Sequence, residues 1–158
     1  MNRTWILGLL MGGWGLGLGA QNLDSGLKVQ LDQAGLKYSA TKSGNAQVVF
    51  TEADDRSQVV YLRGTADTLD GLSLREIWSV AGTLEPDPDP QVLLDLLSAG
   101  GDEALGAWNL EKADDGWLVY YSTKLPADMP GTNLRSVVET IADVTDRKEK
   151  ALFATDDN

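Results

Sequence analysis

Between Leu84 and Gln91 the chain reads Glu85-Pro86-Asp87-Pro88-Asp89-Pro90. Each proline fixes its own φ, lacks an amide N–H and drives the preceding residue to extended backbone, so no helix or laddered strand runs through this segment. The prolines divide the chain in two. A length of 158 residues, less an N-terminal targeting segment, suits one domain, and strands with one apolar face occur on both sides of the prolines. The two parts therefore read as halves of one sheet, not as two domains. Glu85, Asp87 and Asp89 lack the glycine and the bidentate-glutamate spacing of a calcium loop, and the segment reads as a rigid, solvated connector.

Met1 to Ala20 has the layout of a secretory signal. Arg3 supplies the positive end, an apolar run starts at Trp5, and small residues precede a cut expected after Ala20. A retained membrane anchor is the alternative, because Thr4 to Ala20 is an uncharged span of 17 residues, although it contains six glycines. Only in that case is a membrane a partner. Export to the periplasm or the cell exterior is the expectation, with residues 21–155 forming the domain and 156–158 a frayed acidic tail.

Downstream, Leu23, Leu27, Leu31 and Ala34 form one stripe of a helix from about Asp24 to Ala34, with Gly35 placed for a left-handed cap. Leu36, Tyr38 and Ala40 alternate with polar residues, and a three-residue loop, Ser43-Gly44-Asn45, pairs Tyr38 with Phe50 and Ala40 with Val48. A turn at residues 54–57 leads into Gln58 to Arg63. A further strand runs from about Ser73 to Ala81, with Leu74, Trp78 and Val80 on one side, making four strands before the prolines. Asp89 caps a second helix with Pro90 at its first position. That helix extends to Gly100-Gly101 and is apolar over so much of its circumference that two-sided cover is expected. Asp115-Gly116 then forms a two-residue turn, pairing Leu110 with Tyr121 and Lys112 with Val119. Thr132 caps a last helix striped by Leu134, Val137, Val138, Ile141, Val144 and Leu152, with exposed pairs Asp143–Arg147 and Asp146–Lys150. The fold class is α+β, an antiparallel sheet of about six strands with three helices, in the order α-β-β-β-β-α-β-β-α.

Composition excludes several kinds of chemistry. The chain has no Cys and no His, which removes disulfides, Cys/His zinc sites, thiol nucleophiles and imidazole bases. With 24 acidic against 13 basic residues, a net charge of -11 opposes binding to a polyphosphate backbone, so no nucleic-acid partner is expected. The carboxylate pairs Asp54–Asp55, Asp114–Asp115 and Asp102–Glu103 lie in turns where water keeps both members ionised, whereas hydrolytic chemistry needs one held protonated. No catalytic residue, metal site or cofactor is expected.

The pattern Ser57-Gln58-Val59-Val60-Tyr61, then Glu76-Ile77-Trp78-Ser79, a Leu-rich helix, Gly106-Ala107-Trp108-Asn109-Leu110 and a strand ending Leu125-Pro126 resembles the bacterial YbjN family. The resemblance spans Leu23 to Leu152 and carries packing patterns. It implies a fold like that of type III secretion chaperones. It also implies a non-catalytic protein related to sensory-transduction regulators and to small acidic homodimers that hold other proteins' unfolded segments. Secretion chaperones work in the cytosol, from which the apparent export of this chain departs.

The residues themselves nominate Trp78, Trp117 and Tyr120 for contact with a polypeptide partner, by strand addition or helix-in-groove docking. Trp108 reads as buried between sheet and last helix, because its alternation partners are apolar. Leu93, Leu94, Leu96 and Leu97 of the second helix are the candidate dimer contact. An alternative function is binding of a small apolar ligand in a pocket enclosed by the sheet and the second helix.

Overall fold

The structure, a computed structural model, describes residues 23–51 and 56–153. The signal-like segment, Asp54 and Asp55, and the acidic tail lie outside the described residues. The elements are α1 (Ser25–Gln33), β1 (Tyr38–Ala40), β2 (Ala46–Thr51), β3 (Ser57–Leu62), β4 (Asp67–Leu69), β5 (Leu72–Leu84), α2 (Pro90–Asp102), β6 (Ala107–Ala113), β7 (Gly116–Pro126) and α3 (Gly131–Phe153). The strands form one antiparallel sheet in the order β1-β2-β3-β5-β7-β6, and short β4 adds to β5. The α+β class holds, with seven strands; the additional one, β4, is only three residues long.

The first helix begins as its sequence dictates. Asp24 accepts a hydrogen bond from the Leu27 amide at 2.9 Å, and Gly35 beyond the last turn has φ 64°. Leu27 and Leu31 are fully buried against α3. At the other end of the chain α3 starts at Gly131, so Thr132 lies inside the first turn and is not its cap. The amides of Asn133 and Leu134 donate to the Pro130 carbonyl at 3.0 Å. A Cβ on Gly131 would lie 2.7 Å from Gln33 Cβ and 2.9 Å from the Gln30 carbonyl oxygen, so this start is set by the approach of the two helices.

Both hairpins differ in register from expectation by one step of the turn. Tyr38 pairs with Val48 and Ala40 with Ala46, across a three-residue loop of residues 42–44 in which Gly44 takes φ 80°. In the last hairpin Trp108 pairs with Tyr121 and Leu110 with Val119, leaving Asp114 and Asp115 as the turn. Gly116 belongs to the strand, because a Cβ there would lie 1.9 Å from the Leu84 carbonyl oxygen. Each slip moves partners by two residues, so the apolar residues keep their face.

α3 lies across β3, β5 and β7, α1 lies on α3, and α2 covers β6, with Gly100 against the Trp108 backbone. The core is on this side: Val60, Leu62, Ile77, Val119 and Tyr121 of the sheet meet Leu134, Val138 and Ile141 of α3. Each such side chain contributes about 1.5–3 kcal/mol by leaving water. Gln58 and Ser79 are also buried there, Gln58 Nε2 donating to Ser79 Oγ at 2.6 Å and Ser79 Oγ to the Val59 carbonyl at 2.7 Å. Asp146 is not the exposed partner expected from its helix spacing. It is 6% exposed and binds both Lys150, at 2.7 Å, and Arg56, at 3.1 Å.

Candidate binding surface

Among the described residues, no helix covers the second face of the sheet. Strand alternation sends Glu76, Trp78 and Val80 of β5 to it, and sends Arg75, Ile77 and Ser79 to the core. A β-bulge at Ala81, between the pairs Val80–Tyr120 and Gly82–Val119, then switches the parity so that Leu84 turns toward the core side.

The register assembles the open face in rows. Val49 lies opposite Val59, and Val80 opposite Tyr120. The next row is Gln47, Tyr61, Trp78 and Ser122, in which Tyr61 and Trp78 stack with ring centroids 5.4 Å apart and planes 20° from parallel. The third row holds charges: Arg63, Glu76 and Lys124. Arg63 Nε donates to Glu76 at 2.9 Å while its guanidinium sits 5.4 Å from the Trp78 ring centroid. Val49 is 55% exposed, and Tyr61, Trp78 and Tyr120 are half-buried. A concavity of about 360 Å³ opens over β5 and β7, floored by Trp78, Leu118 and Tyr120 and ended by Glu111 and Lys124. Burial pushes the phenol of Tyr120 above its usual range, and the carboxylates of Glu111 and Glu76 push it further. Tyr120 therefore stays a neutral donor and acceptor.

The nominated aromatics divide between the two faces. Trp78 and Tyr120 share the open one. Trp117 points to the helix side at the far end of β7, where its indole N–H donates to the Pro86 carbonyl at 3.2 Å and Lys112 lies over its ring. There it anchors the proline connector. Trp108 is buried beside Tyr121, as its alternation partners require. Sequence reasoning passed over Val59, Tyr61 and Arg63, although the unbroken apolar run Val59-Val60-Tyr61-Leu62 is a signal for a strand covered on both faces. Of the α2 leucines, Leu96 is 3% exposed and belongs to the chain's own core, whereas Leu94 and Leu97 are 56% and 73% exposed and Leu93 is half-buried. Asp114 and Asp115 occupy a turn, and Glu103 beside Asp102 is paired with Arg147 at 3.3 Å.

A second concavity, of about 430 Å³, lies at the end of the sheet beside Asp24, Leu72 and Arg75. Arg75 is buried, and its guanidinium donates to the carbonyls of Arg63 and Gly64 and lies 3.5 Å from Asp24. Desolvation lowers its pKa, partly countered by Asp24. Its contacts tie the start of α1 to the loop after β3.

No protein-family model matches the chain, and no curated protein matches it. Among solved structures, the crystal structure of YbjN from E. coli is similar to 79% of this chain and 89% of that one, at 16% identity and a TM-score of 0.45.

Proposed function

We propose that this chain is an exported, non-catalytic protein that binds another polypeptide on the open face of its sheet, acting as a homodimer joined through Leu93, Leu94 and Leu97 of α2. One observation carries the reading: half-buried rows of Val, Tyr and Trp, rimmed by charge, lie on a face that no described helix covers. Export rests on the pattern of Met1 to Ala20. The alternative, a small apolar ligand, calls for an enclosed cavity, and the two concavities open to solvent favour a larger partner.

The test is affinity capture from the cell envelope by the wild-type chain and by Trp78→Ser and Tyr120→Ser variants that keep the wild-type circular dichroism. A defined polypeptide retained by the wild type and lost from both variants is the expected result. Equal retention by all three, or a retained small molecule with no polypeptide, overturns the reading.

A further inference from the structure

The concavity over β5 and β7 also restricts the conformation of what it receives. Both are interior strands, β5 between β3 and β7 and β7 between β5 and β6. Under the concavity, Ile77 to Ser79 of β5 and Leu118 to Ser122 of β7 are paired on both sides, so an extended segment laid over them would find no backbone partner there. A helix brings its own backbone bonds and presents only side chains. The strands ask for the same thing: Val59-Val60-Tyr61-Leu62 and Trp117-Leu118-Val119-Tyr120-Tyr121 are apolar on both faces, the signature of strands between two layers, and α3 supplies only one.

The charges give the direction. Glu111 lies opposite Leu118, and Lys124 is six residues further along β7, about 20 Å away at strand rise. Neither makes an ion pair among the described residues. Leu118, Tyr120 and Ser122 lie between them on β7, with Trp78 and Val80 alongside on β5. A helix of about 13 residues spans the same 20 Å, with a partial positive charge at its N-terminus and a partial negative charge at its C-terminus.

We infer that this seat takes an amphipathic α-helix of another polypeptide, lying along β7 with its N-terminal turn at Glu111 and its C-terminal turn at Lys124. The inference rests on the polypeptide-binding reading above and adds the partner's conformation, length and polarity. Its apolar stripe would cover Leu118, Tyr120, Trp78 and Val80 and turn a two-layer sandwich into three layers.

The experiment selects binders to the full chain from a library of random peptides about 16 residues long. Enriched sequences are expected to repeat apolar residues at i, i+3, i+4 and i+7, and to become helical on binding. Tyr120→Ser should weaken them tenfold or more. Glu111→Lys and Lys124→Glu, both at the rim, should each weaken them about twofold to fivefold at low salt, with unchanged thermal stability. Enriched peptides of alternating or proline-rich pattern that still depend on Tyr120 would overturn the helix while leaving the binding face intact. No enrichment, or binding indifferent to Tyr120→Ser, would overturn both readings. Loss of self-association in Tyr120→Ser would make the occupant a second copy of this chain, and would likewise overturn the inference.

Discussion

Gly82 shows how much a single position carries. It follows the bulge in β5, has φ 155°, and leaves room for the ring of Phe153, whose nearest atom would lie 2.7 Å from an added Cβ. Gly82→Ala should therefore cost about 1–3 kcal/mol, as an overpacked core does. Gly71, at φ 85° with nothing within 4 Å, meets backbone strain alone, so Gly71→Ala should cost about 1 kcal/mol. Thermal denaturation of the two variants checks the order, and equal losses would show that the Phe153 contact is unimportant. Of the glycines, Gly35 was legible as a helix terminator because its setting is local. Gly116 was not: its neighbour in space, Leu84, is 32 positions away in the chain, and the Asp-Gly pair alone points to a turn.

Among the elements, α2 is where local pattern and tertiary cover diverge. Its cap is as expected, with Asp89 accepting from the Gln91 amide at 2.8 Å and Pro90 opening the first turn. The helix then continues through Gly100 and Gly101 to Asp102, with Gly100 beside Trp108, where an added Cβ would make ordinary contact at 3.8 Å. The expected cover on two sides is met on one, by β6, and the other side holds Leu94 and Leu97. Leu96→Ala should thus lose about 2–5 kcal/mol from the core. Leu97→Ser should change stability by no more than about 0.5 kcal/mol and shift the chain toward monomer in sedimentation. Unaltered sedimentation of Leu97→Ser would remove α2 from the dimer contact. Periodicity reveals a broad apolar circumference, but which leucines are left over depends on where β6 sits.

Across the whole molecule, all four tyrosines titrate above the ordinary 10.0. Burial is the first cause at each, with Asp32 adding at Tyr38, Glu111 and Glu76 at Tyr120 and Glu103 at Tyr121. A phenol with a raised folded pKa loses its proton first in the unfolded chain, so stability should fall as pH climbs past about 10. Phenolate absorbance followed through an alkaline titration should show native tyrosines ionising later than those of the urea-unfolded chain; coincident curves would contradict this. The sequence alone was enough to set the order of every element except β4, the break at the prolines, the caps at Gly35 and Asp89 and the α+β class, because these depend on neighbours within a few residues. It also placed Leu74, Trp78 and Val80 together on one side of β5. Only the tertiary structure decided that this side is the open one and that Ile77, Ser79 and Ala81 face the core. A period of two separates the faces of a strand, but when both carry apolar residues, the choice between them belongs to the helix that packs there.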